Sequence, residues 1–514
     1  MTDVLLAHAY FLRFDSKQAQ KMRPYPPLAT LYVAANLRQA GWSVAVFDAM
    51  LAESEASFEA ALAQHRPPFV VLYEDNFNFL SKMCLVRMRE AALTMAAAAA
   101  RAGAYVIAAG SDVTDRPELY LAGGVDLAVL GEGDHTVREV LEWAAAGRPP
   151  GERPAHLAGL AYAEAAPAGR GGAPAVIRTA KRANERRPDV FPHPARDLID
   201  VGAYRRAWLG RHGRFSLNMV STRGCPFHCN WCAKPIWGQR YAMRSPADVA
   251  DELAEVKRTY RPDHVWFADD IFGLRPAWVA EFAAEVGARD ARVPFTIQSR
   301  CDLMTEQAVA GLAAAGCEEV WLGAESGSQP VLDAMDKGIT VAQIRTARER
   351  LGRAGIAVGF FIQFGYPGER LADIRATVEL VREALPDQIG VSVSYPLPGT
   401  RFHDLVADQL GGKANWEESG DLDMMFQGAY TTPFYRRLHV ALHDDLDLHR
   451  RKAGLAPAPH PSLAPVDLDT QGERVTAAWA ELDELELSCR NAKPTLLLRA
   501  AAAPPAPDLS RPYN

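Results

Sequence analysis

The chain has 514 residues, of which 48% are hydrophobic and 23% charged, and its formal net charge is −7. That length exceeds one ordinary core and predicts two or three domains. The charge balance excludes a basic nucleic-acid-binding surface as the dominant feature, and no apolar run approaches the roughly 20 residues that cross a bilayer.

The opening MTDVLLAHAY carries no basic segment ahead of a long apolar one, so no secretory signal is expected. Seven cysteines are present, an odd number, and three of them crowd into residues 225–232. That distribution fits a metal site in a reducing cytoplasm better than a disulfide framework.

Residues 1–147 alternate β-rich runs (Val4–Ala7, Ser43–Asp48, Phe69–Glu74, Tyr105–Gly110, Leu127–Leu130) with helical stretches such as Leu31–Gln39 and Leu80–Arg101. Five strands separated by helices predict a doubly wound parallel sheet of the flavodoxin-like kind, an α/β domain whose ligands lie beyond the carboxyl ends of its strands. Residues 148–205 are rich in Pro, Gly, Ala and Arg and read as a linker with a hairpin, Leu160–Ala163 and Ala175–Thr179.

A second α/β series spans 206–405. Its strands are Ser216–Ser221, His264–Asp269, Phe295–Arg300, Val320–Ser326, Val358–Gly365 and Gly390–Pro396. Six β/α units predict a partial (β/α)6 barrel, with its chemistry at the carboxyl ends of the strands. Residues 406–514 read as mainly helical, with an amphipathic helix over Thr432–Lys452 and a low-complexity tail, AAAAPPAPDLSRPYN, expected to be disordered.

The strongest local signal is Cys225-Pro-Phe-His-Cys229-Asn-Trp-Cys232. Three thiolates at this spacing can ligate three irons of a [4Fe–4S] cubane and leave the fourth open to a substrate. Zinc wants a fourth ligand from a second Cys/His pair. His228 is adjacent, but no such pair follows. Cys84, Cys301, Cys317 and Cys489 are scattered and read as core residues.

The cysteine loop, with the aromatic Trp231 before its last cysteine, resembles the cluster loop of the radical S-adenosylmethionine (SAM) superfamily. The resemblance continues through Phe267-Ala-Asp269-Asp270, Gly323-Ala-Glu325-Ser326-Gly327-Ser328, Gly365-Tyr-Pro367-Gly368-Glu369 and Tyr395-Pro-Leu-Pro-Gly399-Thr400. With the N-terminal sheet it covers residues 1–405 and is similar to the subfamily with an N-terminal cobalamin-binding domain. That subfamily includes class B methyltransferases and the anaerobic magnesium-protoporphyrin ester cyclase.

The resemblance implies that Cys225, Cys229 and Cys232 hold the cluster and SAM chelates its open iron. It places Glu325 and Ser326 near the SAM ribose or methionine and the main chain of Tyr395–Leu397 against the adenine, with Trp231 among the cofactor-binding residues and Asp269 and Arg300 as further polar contacts. Glu369 reads as a first-turn helix carboxylate. In the N-terminal domain, Gly131, Glu132 and Gly133, just before a helix, would meet a polar edge of the corrin or its nucleotide tail. Many cobalamin domains carry Asp-x-His-x-x-Gly with a cobalt-ligating His; this chain has Leu6-Ala-His8-Ala-Tyr10-Phe11 instead. His8 therefore reads as a packed or substrate-facing residue. Asn76, Phe77 and Asn78, after the third strand, are the candidates for the lower face of the corrin, where Asx turns are the competing reading.

The expected function is methylation of an unactivated carbon by a 5′-deoxyadenosyl radical and methylcobalamin. The alternatives are cyclisation, oxidation or rearrangement with the same cofactors, or a non-catalytic cobalamin sensor or carrier. Small-molecule, lipid, tetrapyrrole and peptide substrates all remain open. The expected partner is an electron donor such as flavodoxin or ferredoxin; neither nucleic acid nor membrane is expected.

Overall fold

The computed structural model describes residues 2–77, 86–147, 152–164, 175–411, 422–458, 466–491 and 494. Asn78, Cys84, the expected helix start at Leu80 and the low-complexity tail lie outside the described residues.

The N-terminal strands are β1 (Val4–Ala7), β2 (Val44–Phe47), β3 (Phe69–Tyr73), β4 (Tyr105–Ala109) and β5 (Leu127–Val129), in the parallel order β2-β1-β3-β4-β5. β1, β4 and β5 are buried along their whole length, as strands covered by helices on both faces must be. The segment read as a linker is not a free tether. Its hairpin, β6 (Leu160–Ala163) and β7 (Val176–Arg178), pairs antiparallel onto β5 and extends the sheet to seven strands. Pairing onto β5 covers backbone groups that would otherwise leave that strand an open edge.

The second sheet contains β8 (Ser216–Met219), β11 (His264–Phe267), β12 (Phe295–Ser299), β13 (Cys317–Glu325), β14 (Ala357–Phe364) and β15 (Gln388–Val393), all parallel and in that spatial order. β8 is shorter than the sequence pattern suggests. The chain leaves the sheet after Met219 and forms a small antiparallel ribbon, β9 (Thr222–Gly224) with β10 (Tyr241–Met243), which carries the cysteine loop between its strands. Gly224 sits at φ 80°, and a Cβ there would lie 2.4 Å from the Arg240 carbonyl, so the ribbon closes only on a glycine.

The helix Leu28–Gln39 joins the two sheets. Residues Leu28–Leu37 are all buried, the pattern of a helix covered on every side. Asn36 Nδ2 donates to the Asp134 carbonyl of the N-terminal domain, while the Tyr32 hydroxyl reaches Arg244 and Glu252 of the barrel. Beyond the barrel come the helices Arg401–Leu410, Thr432–Lys452 and Leu468–Cys489, the last two packed on each other. No helix among the described residues is long and apolar enough to cross a membrane.

Candidate active site

The cysteine loop is fixed from several sides. Asn230 is buried and fully engaged: its Nδ2 donates to the Ala334 carbonyl (2.7 Å) and to Asp336 Oδ2 (3.1 Å), and its Oδ1 accepts from the Tyr366 hydroxyl (2.7 Å). The Lys234 ammonium donates to the Phe227 carbonyl within the loop. Trp231 is half-buried, packed against the Tyr366 cluster on one side and the Phe402 cluster on the other, and its indole Nε1 has no hydrogen-bond partner among the described residues. Cys225, Cys229 and Cys232 are reduced and half-buried. Burial pushes the Cys225 thiol up and Cys232 to about 12; the neighbouring cysteines add to this, and Lys234 opposes it. Among the described residues no three His, Cys, Asp or Glu side chains stand ready around a single ion. Three soft thiols on one loop suit an iron–sulfur cluster, in which each binds a separate iron.

Asp269 and Arg300 support this loop. Asp269 accepts from the Ser221 amide (2.8 Å), the Ser221 hydroxyl (2.5 Å) and the Thr222 amide (2.9 Å), which fixes the turn that leads from β8 into β9. Burial raises its pKa to about 6. Arg300 pairs with Asp302 (2.9 Å), donates to the Lys337 carbonyl (2.8 Å), and stacks 3.7 Å above the Phe227 ring of the cysteine loop.

At the end of β13, Glu325 is buried and held at φ 60°, a left-handed conformation that is costly for a glutamate and persists only where its surroundings hold it. Its Oε1 accepts from Lys337 Nζ at 2.7 Å. Lys337 is itself buried and lies within electrostatic reach of Cys229. A Cβ on Gly323 would stand 2.6 Å from that ammonium, so the glycine makes room for the ion pair. Ser326 Oγ bonds to Thr377 Oγ1 (3.1 Å) and accepts from the Ser328 amide (3.1 Å). After β14, Glu369 does not enter the next helix, which starts at Leu371; its Oε2 accepts from the Gly365 amide (2.6 Å) and closes the turn. Burial holds it near 8. After β15, the Tyr395 hydroxyl accepts from the Leu422 amide (2.9 Å), tying the barrel to the C-terminal region, and the Leu397 amide donates to the Tyr395 carbonyl (3.0 Å).

The carboxyl ends of the N-terminal strands face this loop. Gly131 (φ 76°) donates its amide to Thr114 Oγ1, and a Cβ on Gly133 would meet Tyr73 at 2.8 Å. Glu132 is engaged within the protein: Oε1 accepts from Arg223 (2.6 Å) and Oε2 from the Glu185 amide (2.6 Å). Asp134 binds the same guanidinium through both oxygens (3.0 and 3.1 Å). Arg223 precedes the cysteine loop in β9, so this buried network joins the two domains. Phe77 stacks on Trp237 of the barrel (5.2 Å, 24°). Among the described residues, buried Asn76 keeps an unpaired Oδ1, and Ser111, just after β4, an unpaired Oγ. Two unsatisfied polar atoms at the strand ends, beside Gly110 at φ 145° and Gly131, fit a large polar ligand lying across them. His8 is buried with both ring nitrogens engaged: Nε2 meets Asp48 (3.0 Å) and the Ala49 amide (3.1 Å), and the Tyr10 amide donates to Nδ1 (3.3 Å).

Comparison with known proteins agrees with both halves. The radical SAM superfamily model matches residues 219–381, and the B12-binding domain model matches residues 23–141. The chain therefore combines a radical SAM region with a B12-binding region. It is 27% identical over 364 residues to an uncharacterized methyltransferase of Pyrococcus horikoshii, covering 67% of this chain and 75% of the relative. It is 28% identical over 193 residues to the anaerobic magnesium-protoporphyrin IX monomethyl ester cyclase of Rubrivivax gelatinosus, spanning 34% of that protein. In fold it is similar to the radical SAM methyltransferase TsrM from Kitasatospora setae, solved with cobalamin and a [4Fe–4S] cluster (TM-score 0.64, 19% identity, 81% of this chain and 80% of that one). It is also similar in fold to the cobalamin-dependent radical SAM enzyme OxsB, solved with aqua-cobalamin and SAM (TM-score 0.64, 14% identity, 95% and 72%).

This chain's cysteine loop lies in the radical SAM region and its Gly131–Gly133 turn in the B12-binding region. Three residues that organise its site, Arg223, Asn230 and Lys337, are not singled out by sequence reading. Arg223 and Asn230 flank the cysteines, and that proximity is the signal that could have found them. Lys337 has no local signal, because its partner stands 12 residues earlier.

Proposed function

We propose that the chain is a cobalamin-dependent radical SAM methyltransferase that methylates an unactivated carbon of a small organic molecule. The observation that carries this reading is the similarity to the Pyrococcus horikoshii methyltransferase over three quarters of that protein's length. The fold shared with TsrM supports it, as does the joining of the two sets of strand ends through Arg223. TsrM has been solved with tryptophan, and another relative is a bacteriochlorophyllide methyltransferase of Chlorobaculum tepidum, which supports a ring-bearing substrate.

When bound, the three cofactors supply electron transfer, hydrogen abstraction and methyl delivery. The chain's residues bind, orient and exclude water. Cys225, Cys229 and Cys232 hold the cluster. Glu325 and Lys337 form a carboxylate–ammonium pair that matches the ammonium and carboxylate of an amino acid, so they face the methionine end of SAM, with Ser326 beside them. Tyr395–Leu397 and Trp231 border the adenosine. Asp269 and Arg300 are positioning residues that act through the cysteine loop. On the other domain, Asn76, Phe77, Ser111, Gly131 and Gly133 line the corrin side. His8, with both ring nitrogens engaged within the protein, would not be offered to a bound corrin. The buried Arg223 network keeps water out of the joint, which strengthens every polar contact inside it.

The test is anaerobic incubation of reconstituted protein with methyl-deuterated SAM and an extract of the host. A new product carrying the deuterated methyl group is expected. A product without label would assign cyclisation, oxidation or rearrangement, the second reading favoured by the similarity to the magnesium-protoporphyrin ester cyclase.

A further inference from the structure

The interior of an ordinary β/α barrel is filled by large, branched side chains packed on one another. The six-stranded sheet departs from this. Its outward side chains, among them Leu217, Phe267, Ile297, Leu322 and Ile362, are at most 1% exposed and pack with helix residues such as Leu253 and Phe282. The inward ones at mid-height, Trp266, Gln298, Trp321, Phe361 and Ser392, are only half-buried. Strand register sets them in one belt: Asn218 lies beside Trp266, Gln298 beside Trp321, Trp321 beside Gly359 and Phe361 beside Gly390.

Glycine makes room for this belt. A Cβ on Gly359 would meet three atoms of the Trp321 ring at 2.4–2.7 Å, and one on Gly390 would stand 3.3 Å from both Trp321 and Phe361. The indole therefore lies flat along β14 and β15, with Phe361 against it (4.8 Å, 31°). Glycines inside strands recur where a ligand or another segment comes close. Toward the β8 edge, Trp266 is backed by Tyr25 (4.9 Å, 44°) and packs on the apolar cluster that holds Phe77 and Trp237, so this wall reaches the joint between the domains.

Below the belt the Tyr25 hydroxyl, Ser216, His264, Thr296, Glu319 and Gln388 form one line of hydrogen bonds of 2.8–3.3 Å. Glu319 also accepts from the Trp321 indole, which engages the polar edge of that ring and leaves its faces to the chamber. Above the belt, two residues further along β13 and about 7 Å away, Gly323 lies against the Lys337 ammonium of the Glu325 ion pair. Asn218, 2% exposed, stands on the belt itself. Its Nδ2 donates to the Pro26 carbonyl (2.9 Å), while its Oδ1 has no hydrogen-bond partner among the described residues. A buried acceptor left unpaired is uncommon and calls for a donor.

We propose that this chamber holds the methyl acceptor as a flat aromatic system of one or two fused rings, stacked on Trp321, with a ring N–H donated to Asn218 Oδ1. The proposal rests on the methyltransferase reading and narrows it. Even a closed barrel of eight strands is only wide enough for its side chains or one small ligand. Six strands that also carry two indoles exclude a tetrapyrrole. A site built to accept a hydrogen bond also rejects an analogue that lacks the donor, because the buried acceptor then stays unpaired.

The experiment uses cluster-loaded full-length protein and needs no turnover. Indole and benzofuran match in shape and differ in the N–H; both are titrated by saturation-transfer difference nuclear magnetic resonance, with protoporphyrin IX as a large planar competitor. Indole should bind wild type about tenfold more tightly than benzofuran, the worth of one hydrogen bond to a buried acceptor, and the porphyrin should not displace it. Asn218→Leu should bring the ratio of the two affinities to about one. Trp321→Leu should weaken both rings about fivefold, the loss of a stacking face, and keep the ratio. Equal binding of the two rings by wild type overturns the proposal without recourse to any variant, as does binding of neither. So does displacement by the porphyrin, or a ratio that Asn218→Leu leaves unchanged. The expected ring selectivity without a labelled product from methyl-deuterated SAM would strike the methyltransferase reading and leave the aromatic site standing.

Discussion

Removing the Arg223 guanidinium should open the joint between the two domains. Arg223 is 4% exposed, donates to Glu132 and to both oxygens of Asp134, and lies 4.2 Å above the Phe191 ring. Arg223→Met keeps most of the apolar stem but strands two buried carboxylates. Breaking a buried pair from one side costs about 3–5 kcal/mol, because the remaining charge is left uncompensated. The triple variant Arg223→Met, Glu132→Gln, Asp134→Asn removes the stranded charges and should recover about half or more of that loss. A chain with several domains need not unfold in one step, so the suitable measurement is native-state hydrogen exchange at the joint. The Val137 amide, bonded to the Gly133 carbonyl, is a direct reporter. A loss under about 1 kcal/mol in Arg223→Met, or no recovery in the triple variant, would refute the view that this network holds the domains together.

Three further outcomes are expected. Cys225→Ala, Cys229→Ala and Cys232→Ala should each abolish the SAM-responsive iron–sulfur spectrum, whereas Cys301→Ala, Cys317→Ala and Cys489→Ala should retain it; a surviving spectrum in a triple variant of the first set would contradict the ligand assignment. Lys337→Gln should weaken SAM binding, read by equilibrium dialysis, about tenfold, the loss of one charge-assisted bond, and decarboxylated SAM should lose far less; equal losses for both ligands would remove Lys337 from the carboxylate. For Glu252, burial favours the neutral form, but Arg244 and Arg196 more than reverse this and hold it at about 2, below its ordinary 4.5. A depressed folded-state value means that its contribution is complete above 4.5 and fades as pH falls through about 2. Glu252→Gln should therefore flatten the stability profile across that window, and profiles that stay parallel to wild type would count against the pairing.

Features encoded by neighbours in the chain were legible from the sequence. The cysteine loop carries its three thiols within eight residues, and strands such as β1 and the helix Thr432–Lys452 follow their own hydrophobic patterns closely. Features decided by distant partners were not. Glu132 reads as a cofactor contact because it stands between two glycines before a helix, yet it meets Arg223 from 91 residues away. Asp269 and Arg300 read as polar contacts of SAM from their strand-end positions, and no local pattern announces their partners: Asp269 bonds to Ser221 and Thr222 at the entry to β9, and Arg300 bonds to Asp302 and the Lys337 carbonyl and stacks on Phe227 of the cysteine loop. The hairpin at 160–178 announces two strands without saying which edge they join. The helix Leu468–Cys489 escaped notice because acids crowd its sequence; it is fixed by packing on its neighbour and by Asp467, which caps its first turn.

The central claim, that this enzyme transfers a methyl group to carbon by radical chemistry, is tested most directly by counting by-products per turnover. With purified protein, an identified substrate and excess SAM, 5′-deoxyadenosine and S-adenosylhomocysteine should each accumulate in about equal amount to methylated product, since the cofactor chemistry consumes one SAM for the radical and one for the methyl group. Turnover that yields 5′-deoxyadenosine and product without S-adenosylhomocysteine would contradict it.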